Sequence, residues 1–191
     1  SSFMRGEGHN IYNSLLPQQF ELLERQKNIK VRNTKNIKVV FYAPTYRNNK
    51  DRNWDLLQNN NFISYCEDNN IIIKVKYHPL DCEYDKISSK NIIYCENEEL
   101  YSLLFTSDLV ITDYSSLIYD CLILGKNLSL YCLDINSYRV QRGFADETEI
   151  NKIGIVTDKY EFKRLLDISP SEGIQFTEKL PLNVLMMIGW L

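Results

Sequence analysis

One stretch of the sequence, LYSLLFTSDLVITDYSSLIYD at residues 100–120, constrains the fold of this chain more than any other. Its continuous apolar run Leu109 to Thr112 is typical of a buried parallel strand, and it ends at the polar turn Asp113 to Ser116. Apolar residues with helical spacing then continue to Leu124. Strand, turn and helix in this order predict backbone N–H groups and two serine hydroxyls at a helix N-terminus, where anions bind. We therefore interpret the turn as a candidate site for the phosphates of a nucleotide-linked substrate.

Apolar strand-like runs alternate with helical segments along the rest of the chain. Helices are predicted at residues 54–69, 98–105, 117–124 and 158–166, with Gly125 ending the third, whereas residues 134–146 are predicted to be irregular. The alternation predicts an α/β fold, a Rossmann-like parallel sheet with helices on both faces. The predicted strands are Val39 to Ala43, Ile71 to Tyr77, Asn91 to Tyr94, Leu109 to Thr112, Leu128 to Leu133 and Gly154 to Thr157.

Three polar segments each follow the carboxyl end of a predicted strand. Thr45 and Arg47 follow the first strand, His78 follows the second, and the turn Asp113 to Ser116 follows the fourth. Because ligands of such sheets bind beyond the carboxyl ends of the strands, we expect these segments to line one crevice.

Two residues of this crevice are candidates for catalysis. Arg47 carries a planar guanidinium suited to bidentate phosphate binding, and the alternative is a surface arginine in an Asn/Lys-rich loop. His78, stiffened by Pro79, is suited to donate to a phosphate or to balance charge on a leaving group. The alternative for His78 is a capping or packing role. His9 lies in the N-terminal stretch, and we assign it no function.

The residues of the turn each allow two interpretations. Asp113 either contacts the ligand or braces the turn by accepting backbone N–H bonds. Ser115 and Ser116 either bind phosphate or cap the following helix. Neither serine lies in a G-x-S-x-G motif, which argues against a serine hydrolase.

The segment YRVQRGFAD at residues 138–146 carries two arginines, a glycine and an acid. It is either a solvated loop or a second clamp over the ligand, on the far side of the crevice.

Composition argues against several other classes. A chain of 191 residues favours one domain, and a net charge of −3 gives no reason to expect nucleic acid as a partner. The five cysteines are scattered without a C-x-x-C pair, which argues against a zinc site or disulfide framework and favours a reducing cytosol. P-loop and G-x-G-x-x-G motifs are absent from the sequence, and no cluster of carboxylates calls for a metal.

Four sequence strings carry a resemblance to a known family. They are YAPTYR at 42–47, YHP at 77–79, SDLVITDYSSLIYD at 107–120 and YRVQRGFADE at 138–147. In order and spacing they resemble the CDP-glycerol glycerophosphotransferases, which build the poly(glycerol phosphate) or poly(ribitol phosphate) chains of bacterial teichoic acids and related capsules. The resemblance covers Val39 to about Asp146 and continues more weakly to Ile168.

The resemblance implies a GT-B-like enzyme of two Rossmann-type lobes, of which this chain is similar to the C-terminal, donor-binding lobe. The implied donor is CDP-glycerol or CDP-ribitol, and the implied acceptor is a lipid-linked polyol-phosphate chain whose attack expels CMP. No cofactor is assigned, and whether a metal takes part stays open. Arg47, His78 and the Ser115/Ser116 turn are expected to face the donor pyrophosphate, with further donor-site residues at Thr45, Asp113, Arg142 and Asp146.

Three departures from the family pattern matter for activity. The HGTPLK-type motif of the other lobe, whose histidine is the family's candidate base, is absent, and GEGHN around His9 does not match it. Ala145 stands where the family commonly has tyrosine, and the region after Ser169 does not follow the pattern. We therefore expect donor binding without efficient turnover unless an N-terminal acceptor lobe is supplied.

The predicted domain organisation has two parts. Residues 1–36 are expected to form a lead-in helix and linker, and residues 37–191 a nucleotide-donor-binding domain. The chain starts with Ser1 rather than Met, so we expect an excised piece of a longer protein and draw nothing from residues 1–8.

The apolar tail LPLNVLMMIGWL at residues 180–191 is too short to span a bilayer. Three interpretations stand: a final packed element, contact with the membrane surface, or self-association into a homo-oligomer. The resemblance implies a cytoplasmic location, peripheral at the inner face of the membrane.

Two rival functions remain open. One is the donor lobe of an ordinary GT-B glycosyltransferase that uses a UDP-sugar. The other is a non-catalytic nucleotide-binding remnant that kept the fold.

Overall fold

In the part of the chain that the structure describes, six parallel strands form one sheet in the order β3-β2-β1-β4-β5-β6. The computed structural model describes residue 25 and residues 36–47, 52–81, 84, 86–142 and 155–167. This strand order is that of a Rossmann-like sheet, with the change of direction between β1 and β4. The predicted α/β class is confirmed. The strands are β1 Val39–Tyr42, β2 Ile72–Val75, β3 Ile92–Tyr94, β4 Leu109–Thr112, β5 Leu128–Tyr131 and β6 Ile155–Val156.

Helices lie where the apolar spacing predicts them, although the first and the last each begin as a 3₁₀ turn, and one further helix follows β5. The predicted helix 54–69 begins as a short 3₁₀ turn, Leu56–Gln58, and becomes α-helical only after Asn59. The Asn59 side chain accepts from the backbone N–H of Asn61 and of Phe62, which fixes that start. The helices are α1 Asn60–Asp68, α2 Leu100–Thr106, α3 Leu117–Ile123, α4 Ile135–Arg142 and α5 Lys163–Leu166.

Helix α4 corrects the prediction that residues 134–146 are irregular. Its apolar residues do not mark a buried face, because Val140 is 86% exposed, so apolar periodicity does not predict it. Its first turn is closed by the Asp134 carbonyl, which accepts from Tyr138 N at 2.9 Å and Ser137 Oγ at 2.9 Å. The ring of Tyr138 stacks on that of Tyr114 at 3.8 Å between centroids. This contact with a distant segment stabilises a helix that the local sequence only weakly favours.

The core lies on both faces of the sheet, as the alternation along β1 shows. Val40 and Tyr42 pack on the face covered by α1 and α5, whereas Phe41 packs on the face covered by α2 and α3. Four cysteines are free and buried in these two layers, where Cys behaves as a small apolar residue: Cys66, Cys95, Cys121 and Cys132.

Strands β1 and β4 are neighbours, which places their carboxyl ends side by side. Tyr42 lies opposite Ile111 in the register, and Ala43 N donates to Ile111 O at 3.0 Å. At the opposite edge, Asp108 Oδ2 accepts from Lys38 N and Val39 N at 3.0 and 2.9 Å. The two strands are therefore fastened at both ends, and the segments that leave them start from fixed points.

Some predicted features fall outside the described residues. These are most of the lead-in segment, Asp146 and the tail at 180–191. Within the part that the structure describes, no helix has the length and apolar character needed to cross a membrane.

Gly125 ends α3 in the left-handed backbone region, with φ at +60° and no atom within 4 Å of the position that a Cβ would take. We expect Gly125→Ala to lower the free energy of unfolding by about 1 kcal/mol, because strain in this backbone region is its main cost. Gly125→Asn is the matched control and is expected to cost less, since Asn tolerates this region. Urea denaturation checks this, and equal stability of Gly125→Ala and the unsubstituted chain would contradict it.

Candidate functional site

A cleft of about 630 Å³ opens at the carboxyl ends of β1, β2 and β4. It brings together Thr45, His78, Ser115 and Ser116, which lie far apart in the sequence. Arg47 and Asp113 lie behind this surface and do not line it. Among the described residues, its lining is Ala43, Pro44, Thr45, Tyr46, Lys76, Tyr77, His78, Pro79, Leu80, Leu100, Tyr114, Ser115, Ser116 and Leu117.

His78 is exposed at the mouth of the cleft and is oriented by its own turn. Its Nδ1 accepts from the backbone N–H of Leu80 at 3.1 Å, and its carbonyl accepts from Asp81 N at 2.8 Å. Its ring lies 5.8 Å from that of Tyr46. Because Nδ1 is an acceptor, the neutral imidazole carries its proton on Nε2. His78 therefore has an N–H donor to offer to a ligand.

The two serines of the turn differ in what they do. The Oγ of half-buried Ser115 accepts from Leu117 N at 3.2 Å, so this hydroxyl caps α3. Ser116 is exposed, and its side chain makes no capping bond. Within the part of the chain that the structure describes, no protein acceptor takes the backbone N–H of either serine. Two N–H groups and one hydroxyl are thus available at the cleft.

Asp113 braces the turn from behind. Its Oδ1 accepts from Thr45 N at 2.9 Å, Thr45 Oγ1 at 2.6 Å and Tyr114 N at 2.7 Å. The side chain is only 4% exposed. Burial raises the pKa of Asp113, whereas Arg47 and the donors of Thr45 act in the opposite direction. These contacts favour bracing over ligand binding for Asp113 and Thr45, and a direct contact with a substrate stays a prediction.

Arg47 is enclosed by protein and presents no open fork to the cleft. Its side chain is 8% exposed, with Nη2 at 2.8 Å from Asp113 Oδ2 and Nε at 2.8 Å from Asp134 Oδ2. Its Nη1 donates to the Thr45 carbonyl at 2.7 Å. The contacts favour a positioning role, and phosphate binding by Arg47 stays a prediction. Three rings lie within 5 Å of its Cζ: Trp54 at 4.7, Tyr114 at 4.9 and Tyr138 at 4.8 Å.

Asp134 is a site residue that the sequence does not reveal. It pairs with Arg47 and also accepts from the hydroxyl of Tyr114 at 3.1 Å. Since Tyr114 lines the cleft, Asp134 orients one of its walls from the start of α4. Its partners lie 20 and 87 residues away, so no local pattern points to it.

Lys76 is a second residue that sequence reasoning missed. Its Nζ donates to the carbonyl oxygens of Cys95 at 3.2 Å and Glu96 at 2.7 Å, and it lines the cleft. No carboxylate among the described residues forms an ion pair with it, so its charge is available to an anion. One signal was present in the sequence. Lys76 lies two residues before His78, and alternate residues of an extended segment point the same way.

Two predicted residues remain undescribed at the side-chain level. Arg142 is the last residue of α4, where the structure describes its backbone, and Asp146 lies outside the described residues. Their roles at the site stay predictions.

The fold and the cleft define a Rossmann-type domain whose cleft at the strand ends is lined by N–H donors and a lysine. The family described as CDP-Glycerol:Poly(glycerophosphate) glycerophosphotransferase matches residues 16–179, and the chain belongs to this family.

Its relatives make teichoic acids. The teichoic acid ribitol-phosphate polymerase TarK of Staphylococcus aureus (strain NCTC 8325 / PS 47) is 28% identical over 75% of this chain and 29% of that protein. The teichoic acid glycerol-phosphate primase of Bacillus subtilis (strain 168) is 30% identical over 64% of this chain and 33% of that protein. The chain therefore spans no more than about a third of the length of these relatives.

A solved structure with the same fold is that of the wall teichoic acid polymerase TagF, as a histidine-to-alanine variant. It has a TM-score of 0.57 and 25% identity over 80% of this chain and 39% of that one. A histidine-to-asparagine variant of TagF soaked with CDPG has a TM-score of 0.55 and 27% identity over 80% of this chain and 37% of that one.

We expect Asp113→Asn to destabilise the chain by about 2 kcal/mol, because it places an amide against Arg47 and removes the more deeply buried of the two carboxylates that pair with this arginine. The exposed pair Arg164–Glu161 provides the control. Glu161→Gln is expected to cost less than about 0.5 kcal/mol. Denaturant unfolding of both variants checks this, and equal costs would contradict the bracing role.

The carboxyl of Asp120 on α3 sets a pH dependence. Burial raises its pKa to about 6, while the Tyr101 hydroxyl at 3.5 Å acts in the opposite direction. In the unfolded chain an Asp titrates near pH ~4. The folded state therefore binds the extra proton between these pH values, so this group's contribution to stability decreases as the pH rises from about 4 to about 6.

We expect Asp120→Asn to remove that decrease and to stabilise the chain more at pH 7 than at pH 4. The measurement is urea unfolding of both chains across this range, taking the difference between them. A difference that does not change with pH would show that Asp120 has an ordinary pKa.

Proposed function

We propose that this chain provides the nucleotide-donor-binding domain of a polyol-phosphate transferase. The donor is CDP-glycerol or CDP-ribitol, the product is a teichoic-acid or capsule chain longer by one polyol phosphate, and CMP is released. Membership of the family supports this, as do the teichoic acid relatives. The TagF variant soaked with CDPG supports the choice of donor class. We assign donor binding to residues 37–191.

The observation that carries the proposal is the grouping of anion-binding groups at one cleft. His78 and Lys76 come from the end of β2, and Ser115 and Ser116 from the end of β4. Both arise where ligands of Rossmann-like sheets bind. The cleft thus combines a lysine charge, a histidine N–H, backbone N–H groups and a hydroxyl, which are the donors that a pyrophosphate needs.

In the proposed reaction a hydroxyl at the end of the acceptor chain attacks the phosphorus that bears the polyol. The new P–O bond forms as the P–O bond to CMP breaks, and CMP leaves with the electron pair. Negative charge grows on the leaving phosphate, so the Lys76 ammonium and the His78 N–H stabilise the transition state more than the ground state. The hydroxyl proton passes to a base, which the family resemblance places in an acceptor lobe.

The remaining site residues act around this centre. Asp113 and Arg47, from behind the cleft, and Thr45, which lines it, hold the serine turn in place. Arg142 and Asp146 are proposed as further donor-binding residues.

The proposed acceptor is a lipid-linked polyol-phosphate chain. We accordingly place the protein in the cytoplasm, peripheral at the inner face of the membrane. Its proposed partners are an acceptor lobe with an HGTPLK-type histidine and a second copy of the chain. No metal or other cofactor enters the proposal.

Titration calorimetry with three donors tests the proposal. We expect CDP-glycerol or CDP-ribitol to bind at least about tenfold more tightly than UDP-glucose, a difference of about 1.4 kcal/mol. Preference for UDP-glucose would favour the sugar-transferase alternative. Absence of binding by all three would favour a remnant without donor binding.

Variants locate the binding in the cleft. We expect His78→Ala and Lys76→Met each to weaken binding of the preferred CDP compound about tenfold, since each removes a donor to the pyrophosphate. Lys86→Met is the matched control, because it removes the same charge from a lysine that pairs with Glu96 outside the cleft. Equal losses for Lys76→Met and Lys86→Met would place the ligand elsewhere.

A further inference from the structure

Two residues that line the cleft, His78 and Ser115, lie past the ends of their strands, where the hydrogen bonds of the sheet no longer fix the chain. His78 follows the end of β2 at Val75 by three residues, and Ser115 follows the end of β4 at Thr112 by three. Their relative position must therefore be set by side-chain contacts. Both turns are held by buried arginine–aspartate clusters, and the first of these is the Arg47 cluster behind the serine turn.

The second cluster holds the turn that carries His78. Arg52 Nη2 pairs with the buried carboxylate of Asp55 at 2.6 Å, and Arg52 Nη1 pairs with Asp81 at 2.9 Å. The hydroxyl of Tyr77 donates to Asp55 at 2.7 Å. Burial raises the pKa of Tyr77, so this hydroxyl keeps its proton and remains a donor. Tyr77 and Asp81 flank His78, and Arg52 thus fixes both ends of the turn.

One side chain, Trp54, contacts both clusters. The Cζ atoms of Arg47 and Arg52 lie 4.7 and 5.1 Å from its ring centroid. Trp54 is 8% exposed and does not line the cleft, and neither does Arg52. A guanidinium is attracted to the face of an indole, and each guanidinium here is already oriented by carboxylates. The ring therefore sets how far apart the two arginines lie.

We propose that Trp54 is a positioning residue that couples the His78 turn to the Asp113–Ser116 turn and so sets the spacing of the groups in the cleft. The inference rests on the proposed function insofar as the cleft binds a CDP compound. The coupling itself is a property of the free chain. The two are therefore tested by separate measurements.

Calorimetry with CDP on the full chain is the first measurement. We expect Trp54→Leu to weaken CDP binding about tenfold, and Trp54→Phe, which keeps an aromatic face, to stay within about threefold of the unsubstituted chain. Phe62→Leu is the matched control. It also shortens a buried aromatic residue, but one that packs against Phe162. We expect Phe62→Leu to lower stability and to leave CDP affinity unchanged.

The second measurement needs no ligand. In ¹H–¹⁵N spectra, Arg52→Lys is expected to shift the amide signals of Ser115 and Ser116, which Arg52 does not touch. In a Trp54→Leu background the same change is expected to leave those signals in place. If Trp54→Leu does not fold, the single variant Arg52→Lys carries the test, and we expect it to weaken CDP binding about fivefold from outside the cleft.

The outcomes separate the two ideas. If the chain binds no CDP while Arg52→Lys moves the serine signals, the proposed function is contradicted and the coupling stands. If CDP binds equally to the unsubstituted chain and to Trp54→Leu, or to Arg52→Lys where that variant carries the test, the coupling is overturned. An equal loss of affinity in Phe62→Leu would also overturn it, because the effect would then be a general loss of stability.

Discussion

The site depends on one buried carboxylate, that of Asp113. Two of its contacts, with Thr45 and Arg47, join the end of β1 to the end of β4. A carboxylate with so little exposed surface is costly unless its oxygens are fully occupied, and here four donor groups occupy them. Loss of Arg47 would leave the carboxylate charge unpaired, and loss of any neutral donor would leave one of its lone pairs unsatisfied. The position of the serine turn therefore depends on contacts with the end of β1 as well as on the turn's own residues.

The basic residues near the cleft differ in the groups that they contact. Arg47 and Arg52 each contact two carboxylates and lie against aromatic rings, which suits the planar and permanently charged guanidinium. Among the described residues, Lys76 donates to two carbonyl oxygens and forms no ion pair with a carboxylate. Arg47 and Arg52 thus support the cleft from behind, whereas Lys76 and His78 line it.

Particular residues show which features of the structure can be predicted from the sequence and which cannot. The run at β4 and the turn after it followed from apolar periodicity, and strand order placed His78 and the serines in one cleft. Helix α4 was missed because a stacking contact between Tyr114 and Tyr138, not local periodicity, holds it. Arg47 was expected to present a free fork. Its second partner, Asp134, lies 87 residues away, and nothing in the local sequence indicates the ion pair between them.

The sequence by itself determined the alternating strands and helices, the position of the turn and the family. Those features depend on neighbouring residues or on the order of short motifs, and both can be read directly from the sequence. Only the tertiary structure decided which donors remain for a ligand. A hydrogen-bond donor is available to a ligand when no acceptor of the protein binds it. The acceptors here lie in segments that are distant in the sequence. Arg47 and Lys76 have similar charge in the sequence, and folding alone assigns one to the framework and the other to the cleft.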